Sequence, residues 1–294
     1  MRLGYYTAST AGELEKLTAK LDQYGLSAVW ASLGADKDCV ALGEKARDLG
    51  IVLGEVGMWE NLMTDDLALR QTRIEKTRTL LRKADLAGVK CVVSLVGTKD
   101  PAGHPLAPHP YMYTEKAKTE FREIVLRILD GLDLKTVRYG IEPWHNTFFY
   151  QPDVIRAFID SVGHPAFGLH LDQMNMVNQQ NFYSTTALIN RTFDLLADKV
   201  WSVHLKDIRC DFNHMFLKWD EVRIGEGVMD YDTYLRRLAK LPADTPCYCE
   251  HFRDEADYFA SFAKLHELAA AAGVSFLRRG SALVGRGGSR GRPT

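Results

Sequence analysis

Residues 138–174 read RYGIEPWHNTFFYQPDVIRAFIDSVGHPAFGLHLDQM. Two apolar runs, 138–145 and 166–174, flank a segment in which Pro152 stands where the first turn of a helix tolerates proline. Short, near-continuous apolar runs are typical of parallel strands that are covered on both faces. The stretch therefore predicts a strand, a helix and a second strand parallel to the first.

The same pattern recurs along the rest of the chain. Six further apolar runs occupy residues 2–7, 28–33, 50–58, 89–97, 200–206 and 246–252. Amphipathic segments lie between the runs, and the first of them starts with the capping box Thr10–Glu13. Eight strand–helix units in 294 residues predict an α/β fold, a (β/α)8 TIM barrel formed by a single domain. A doubly wound open sheet is the alternative. No G-x-G-x-x-G follows the first strand, which disfavours both that fold and a nucleotide cofactor.

Composition and charge exclude several classes of protein. Hydrophobic residues make up 46 % of the chain and charged residues 26 %, which is typical of a globular protein. The 37 basic and 38 acidic residues give a net charge of −1, so we expect no nucleic-acid partner. No apolar run approaches the roughly 20 residues that cross a bilayer, so we expect no membrane partner. The five scattered cysteines are interpreted as reduced thiols of a cytoplasmic protein.

The charge is unevenly distributed. Residues 278–294 contain five arginines, five glycines and no acidic residue. We predict that this segment is a disordered tail and that residues 1–277 form the catalytic barrel domain. Without the arginines of the tail, the domain holds 32 basic against 38 acidic residues, so the barrel itself is acidic.

Ionisable residues are embedded in the ends of the last four barrel strands. They are Glu142 and His145, then His170 and Asp172, then His204, Lys206 and Asp207, and finally Glu250 and His251. In a TIM barrel, side chains at these ends face the active site. Converging carboxylates repel one another unless a cation lies between them. Each residue alone could instead pair with an arginine or cap a helix, and His170 could be a hydrogen-bonded strand histidine.

Four residues on four consecutive strands favour a metal site over four separate structural roles. The predicted ligands are Glu142, Asp172, His204 and Glu250. Three oxygens and one nitrogen suit Mn²⁺ best, with Mg²⁺ or Co²⁺ as alternatives. His145, Lys206 and His251 flank these ligands and are predicted to contact substrate. A proline-rich loop at residues 98–113, with His104 and His109, could cover the site or be solvated.

The sequence resembles the sugar phosphate isomerase/epimerase superfamily of xylose-isomerase-like barrels over about residues 1–275. This group includes ketose 3-epimerases, hydroxypyruvate isomerases and inosose dehydratases. The motifs that carry the resemblance are Gly140-Ile141-Glu142-Pro143, Leu171-Asp172-Gln173-Met174-Asn175, Val203-His204-Leu205-Lys206-Asp207, the segment Arg223–Tyr231 with its Gly225-Glu226-Gly227, and Glu250.

The resemblance implies a metal-dependent isomerase or epimerase that acts on a small sugar, ketose or polyol-derived hydroxy-carbonyl compound. One divalent cation would be held by the four predicted ligands. Glu142 and Glu250 would be the catalytic pair, one removing and the other returning a proton, while the cation stabilises an enediolate. Dimers or tetramers are usual in the superfamily, so a homo-oligomer is possible.

The sequence also departs from the ketose 3-epimerases. Phe148 replaces a glutamate of that group, and Asn175 replaces a histidine. Residues 208–222 resemble an insertion, so the arginine expected after the seventh strand could be Arg209 or Arg223. Trp144 and His145 indicate a different substrate wall. Asn175, Arg223 and Trp144 therefore join the predicted substrate-binding residues.

Three other functions remain as alternatives. The first is a metal-dependent lyase that resembles inosose dehydratase, in which Lys206 or His251 protonates a leaving hydroxyl. The second is an apurinic endonuclease, which would need more histidines and a basic surface. The third is a non-catalytic binding barrel, in which Glu142 and Glu250 would pair with arginines.

Overall fold

The computed structural model describes residues 1–215 and 218–281. Eight parallel strands close into a barrel, and this confirms the predicted (β/α)8 fold. The barrel strands are β1 (Arg2–Ala8), β2 (Ala28–Ala31), β3 (Val52–Met58), β4 (Cys91–Ser94), β5 (Arg138–Ile141), β6 (Phe167–Asp172), β7 (Val200–Leu205) and β10 (Pro246–Cys249). Strands β8 (Asp207–Cys210) and β9 (Trp219–Val222) form a separate antiparallel hairpin.

Helices cover the outside of the barrel. They are α1 (Ala11–Tyr24), α2 (Asp36–Asp48), α3 (Leu67–Ala87), α4 (Glu115–Leu129), α5 (Pro152–Val162), α6 (Thr185–Leu196), α7 (Tyr231–Leu238) and α8 (Glu255–Ala271). The predicted start of α1 is confirmed, because the Thr10 side chain accepts a hydrogen bond from the Glu13 amide. None of the helices in the described residues has the length and apolarity needed to span a membrane.

The barrel interior is filled by large side chains that face one another across it. Tyr248 on β10 is fully buried and donates a hydrogen bond to the Val29 carbonyl at 2.8 Å. A Cβ atom at Gly54 on β3 would clash with the Tyr248 hydroxyl, so glycine is needed there. The interior below the site is therefore a packed core rather than a pore.

Several predicted strands extend beyond the observed ones at their carboxyl ends. The run 138–145 was predicted as one strand, but β5 ends at Ile141. The Glu142 amide still donates to the Ser94 carbonyl at 2.9 Å, and the next residue, Pro143, has no N–H to continue the ladder. The residues that follow are thus free to line the mouth of the barrel.

The predicted insertion is the hairpin β8–β9, which pairs Asp207 with Val222 and Cys210 with Trp219. The hairpin follows β7 directly, so it rises from the same end of the barrel as the predicted ligands. All five cysteines are buried and none forms a disulfide.

Residues 278–281 lie at the opposite end of the barrel. The Arg2 side chain donates to the carbonyls of Arg278 and Ser281, at 3.0 and 3.3 Å. Arg279 forms an ion pair with Asp22 at 2.5 Å. These contacts extend the packed chain four residues beyond the predicted domain boundary at residue 277. The rest of the predicted tail, residues 282–294, lies outside the described residues.

Candidate metal and active site

The structure brings the four predicted ligands together at the carboxyl end of the barrel. One ligand atom from each of Glu142, Asp172, His204 and Glu250 lies within 4.8 Å of all the others. Glu142 and Glu250 each follow the last residue of a strand, whereas Asp172 ends β6 and His204 lies within β7. The closed barrel places these four strands side by side, in the order β10, β7, β6, β5.

The Nδ1 atom of His204 faces the carboxylates. It lies 2.8 Å from Glu250 Oε1 and 3.8 Å from Glu142 Oε1. The ammonium group of Lys206 lies 2.9 Å from Asp172 Oδ2 and 2.6 Å from Glu250 Oε1. A histidine and a lysine thus approach the same three carboxylates from β7 and its end.

Burial and charge shift the pKa values of this cluster. Burial raises the pKa of Asp172 to about 6, despite the opposing charge of Lys206. Burial also acts to raise the pKa of Glu250, but the nearby charge of His204 outweighs it and lowers that pKa. The pKa of His204 is raised well above its usual value, because the charges of Glu250 and Glu55 outweigh burial. These shifts favour the protonated, charged form of His204 among the carboxylates.

The residues present fit a divalent cation. The buried atoms His204 Nδ1 and Asp172 Oδ2 have close neighbours but make no hydrogen bond of good geometry. Three carboxylates around one lysine and one histidine leave excess negative charge once that histidine is neutral. Oxygen-rich sets of this kind with one imidazole are suited to Mn²⁺, Mg²⁺ or related ions.

A second group of buried polar side chains lies next to the first. Glu55 on β3 is buried, with its Oε2 atom 3.1 Å from His204 Nε2. The same Oε2 accepts a hydrogen bond from Trp30 Nε1 at 3.1 Å, and Oε1 lies 3.4 Å from His170 Nδ1. Burial acts to raise the pKa of Glu55, but the nearby histidines outweigh it and lower that pKa to about 2.

Sequence reasoning missed Glu55. Its signal was present, because Glu55 is the only ionisable residue in the apolar run 50–58. The residue lies three positions before the end of β3, and only residues at strand ends were considered. His170, weighed as a hydrogen-bonded strand histidine, is fully buried and lies 2.6 Å from Ser202 Oγ.

A cavity of about 620 Å³ opens above the cluster. Four of the predicted substrate-binding residues line it, namely Trp144, Asn175, Lys206 and His251. The Asn175 amide donates to Glu142 Oε1 at 2.9 Å. Trp30 and Trp59 add aromatic surface, and His104 from the proline-rich loop lies against the cavity. Residues 104–106 of that loop therefore form part of the cavity wall.

Two predicted substrate residues do not line the cavity. Arg223 donates to Glu226 Oε1 at 2.9 Å and lies in a neighbouring groove with Asp257. This groove shares Glu221 and His251 with the cavity, and a contact of Arg223 with substrate stays a prediction. His145 is exposed beside Trp144, with ring centroids 4.3 Å apart, and is not part of the cavity lining.

The hairpin contributes a cavity residue that the sequence did not indicate. Glu221 on β9 lines the cavity and lies 3.2 Å from His251 Nδ1 and 3.8 Å from Lys206 Nζ. Its hydrogen bond raises the pKa of His251. Among the described residues other than glycine, His251 alone has a positive φ, 63°. Such a conformation is uncommon for a residue with a side chain, and histidine adopts it more often than most residues do.

The chain is a closed eight-stranded barrel, and three carboxylates and a histidine meet at its carboxyl end. These features place it in the class of (β/α)8 proteins with a candidate metal centre. The family model for xylose isomerase-like TIM barrels matches residues 4–280. The chain therefore belongs to the xylose isomerase-like TIM barrel family. No curated protein sequence matches it significantly.

Several solved structures share the fold. The IolI protein, whose crystal structure holds a zinc atom, is 18% identical with a TM-score of 0.64, and the match covers 92% of this chain and 98% of that one. An L-ribulose 3-epimerase is 18% identical with a TM-score of 0.64, over 89% of this chain and 86% of that one. The probable 3-DHS dehydratase AsbF from Bacillus anthracis is 13% identical with a TM-score of 0.63, and the match covers 88% of this chain and 98% of that one. At these identities the likeness concerns the fold.

Proposed function

We propose that this protein is a divalent-metal-dependent isomerase or epimerase that acts on a small sugar-like hydroxy-carbonyl compound. The observation that carries the proposal is the convergence of Glu142, Asp172, His204 and Glu250 within 4.8 Å at the floor of an open cavity. Both carboxylates of the proposed catalytic pair, Glu142 and Glu250, line that cavity.

The two carboxylates can reach one substrate carbon from different directions. Glu250 follows β10 on one side of His204, and Glu142 follows β5 on the other side. One carboxylate removes the proton from the carbon next to a carbonyl, and the other returns a proton to that carbon or its neighbour. Asn175 holds the Glu142 carboxylate through its amide, and Lys206 holds that of Glu250. A bound divalent cation would polarise the carbonyl oxygen and so make the adjacent C–H more acidic.

The cavity suits a polyhydroxy substrate without a phosphate group. Among the described residues that line the cavity, Lys206 is the one lysine or arginine, and its ammonium is already shared by Asp172 and Glu250. Neither a lysine nor an arginine of this lining is therefore left over to bind a phosphate. Trp30, Trp59 and Trp144 offer apolar faces to the C–H groups of a sugar-like molecule.

Mn²⁺ is the cation proposed first, with Mg²⁺ and Co²⁺ next, because three of four ligand atoms are hard oxygens. The zinc atom of the IolI structure shows that this fold can hold a divalent ion. The proposal includes a cytoplasmic protein that acts alone or as a homo-oligomer.

Solvent isotope exchange tests the proposal. The Mn²⁺-loaded protein is incubated in D₂O with a panel of unphosphorylated ketopentoses, ketohexoses and ketocyclitols, and products are followed by mass spectrometry and NMR. We expect one deuteron to enter at the carbon next to the carbonyl, and none after treatment with a chelator.

Two variants and a control complete this test. Glu142→Gln and Glu250→Gln should each slow the exchange by roughly 10²- to 10⁴-fold, because each removes a proton-transfer group. Glu226→Gln should retain wild-type exchange, since that carboxylate pairs with Arg223 outside the cavity. Wild-type exchange rates in both cavity variants would contradict the assignment of the catalytic pair.

A lyase is the second candidate, and the position of Lys206 favours it. Its ammonium lies 3.3 Å from His251 Nδ1 as well as beside Glu250, so a proton donor is present at the cavity floor. The match to a probable dehydratase of the same fold is compatible with this chemistry. Loss of water from the substrate, seen as a mass decrease, would distinguish a lyase from an isomerase.

A further inference from the structure

The arrangement around Glu55 has a consequence for His204. Glu55 Oε2 lies 3.1 Å from His204 Nε2 and 3.1 Å from the indole nitrogen of Trp30. An ionised carboxylate has no proton to donate, so both nitrogen atoms must donate to it. The proton of a neutral His204 therefore resides on Nε2, and the lone pair is left on Nδ1.

The lone pair on Nδ1 of His204 faces the other proposed ligand atoms. Nδ1 of His204 lies 2.8 Å from Glu250 Oε1 and 3.8 Å from Glu142 Oε1, among the proposed ligand atoms. With the proton on Nδ1 instead, His204 could not bind a cation there. A carboxylate behind a ligating histidine also increases the basicity of the ring and fixes its orientation.

The position of Glu55 itself is fixed from two sides. Trp30, which stacks on Tyr248 with ring centroids 4.6 Å apart, holds Oε2. His170, anchored to Ser202 Oγ at 2.6 Å, lies 3.4 Å from Oε1. The carboxylate thus belongs to a packed, buried network rather than to a mobile side chain.

We infer that Glu55 is a positioning residue that sets the tautomer and orientation of His204 for the divalent cation. This inference rests on the proposed function for the presence of that cation. It assigns Glu55, on the opposite side of the barrel from β7, to the support of the metal centre rather than to the ligand set.

Substitutions at Glu55 separate its two contributions. Glu55→Gln keeps an oxygen that can accept the Nε2 proton but removes the charge. Glu55→Met fills a similar volume and removes both the acceptor and the charge. Glu226→Gln is the control, because it also removes one negative charge but pairs with Arg223 outside the cavity.

Metal affinity is the first measurement. Mn²⁺ binding to the full-length proteins is followed by the loss of the EPR signal of free Mn²⁺. We expect Glu55→Met to weaken binding by about 10- to 100-fold, the range typical of such outer partners, with Glu55→Gln between it and wild type. Glu226→Gln should bind nearly as well as wild type.

The hydrogen bond of the His204 Nε2 proton is the second measurement, and a purely structural role of Glu55 would not change it. Histidine ¹⁵N spectra of the Zn²⁺-loaded proteins should show His204 with its proton on Nε2 in wild type and in Glu55→Gln. In Glu55→Met that Nε2 proton should lose its hydrogen-bonded downfield shift and exchange faster with water. Circular dichroism of each variant confirms that it is folded.

The outcomes separate the two proposals. Wild-type Mn²⁺ affinity and an unchanged His204 signal in a folded Glu55→Met would overturn the inference and leave the proposed function intact. Two Zn²⁺ ions in wild type, with one lost in Glu55→Met, would also overturn it by making Glu55 a ligand. If wild type binds no divalent cation, the proposed function fails, and the inference fails with it.

Discussion

At the scale of single residues, His204 links the charge of the site to its proposed cation. The charges of Glu250 and Glu55 hold the pKa of this histidine well above its usual value, which favours a proton on its ring. A cation can bind Nδ1 only after that proton leaves. Proton and cation therefore compete for one nitrogen atom.

This competition predicts a pH dependence of metal binding. Because the pKa of His204 is raised, the proton persists to higher pH than on an ordinary histidine, and cation affinity should rise with pH throughout the range below that pKa. Release of one proton corresponds to about a tenfold gain in affinity per pH unit. Mn²⁺ titrations at several pH values measure the slope, and a flat profile between pH 5 and 8 (roughly the range in which histidines titrate) would contradict the account.

Sequence reasoning identified the carboxylate cluster because its residues stand at the ends of predicted strands. Glu142, Asp172 and Glu250 are carboxylates at the ends of apolar runs, so their convergence followed from barrel geometry. Glu55 could not be placed in the same way, because its partner His204 is 149 positions away and on a strand across the barrel. Such a contact depends on how the closed sheet brings side chains together in its interior.

At the scale of elements, the carboxylate of Asp207 holds the hairpin β8–β9 and the loop after it in position. Asp207 Oδ2 accepts hydrogen bonds from the amides of Gly225 and Gly227, at 2.9 and 3.0 Å. Oδ1 accepts from the amides of Ile208 and Met229, at 2.9 and 3.1 Å. A Cβ atom at Gly227 would clash with Asp207 Oδ1, so the close approach requires glycine. Asp207 thereby fixes the path of the chain from the hairpin to α7.

Replacement of this carboxylate should destabilise the protein. In Asp207→Asn, the amide group faces backbone N–H donors and leaves at least one buried donor without an acceptor. We expect the free energy of unfolding to fall by about 2 kcal/mol, and Tm by roughly 4–8 °C. Thermal unfolding measures the change. The control Asp220→Asn, whose side chain on β9 is partly exposed and pairs with Lys218, should unfold near the wild-type temperature, and an equal loss in both variants would argue against the role of Asp207.

Periodicity and apolar runs located every barrel strand, but not where each strand ends. A strand ends where the hydrogen bonds to its neighbouring strand end. In β5 the Glu142 amide still donates to the neighbouring strand, but Pro143 has no N–H and cannot. The hairpin was identified as an insertion, yet its pairing places Glu221 at the cavity and Arg223 outside it. Strand β9 ends at Val222, so Arg223 lies beyond the paired residues, and neither that end nor the register of the hairpin could be determined from residues 208–222 alone.

At the scale of the whole molecule, the two ends of the barrel have separate roles. The carboxyl end carries the proposed site, and residues 278–281 pack against the other end. The basic groups of Arg278 and Arg279 pack against Asp22 and its backbone carbonyl, so part of the predicted tail is tied to the acidic barrel.

Truncation tests this separation. A chain that ends at residue 277 loses the contacts of Arg2 and Asp22 with residues 278–281, whereas a chain that ends at residue 281 keeps them. We expect the shorter chain to lose about 1 kcal/mol of stability, because these are partly exposed pairs and hydrogen bonds. Mn²⁺ affinity should be equal in both. A weaker affinity in the shorter chain alone would show that the two ends are coupled.

The metal centre is the central claim for the molecule as a whole, and anomalous diffraction from crystals soaked in Mn²⁺ tests it most directly. The account predicts one strong anomalous peak, within about 2.0–2.6 Å of a side-chain atom from each of Glu142, Asp172, His204 and Glu250. In that structure the Lys206 ammonium should have moved away from Asp172 or Glu250 to admit the ion. Full Mn²⁺ occupancy elsewhere, or no peak while Lys206 still bridges the two carboxylates, would contradict it.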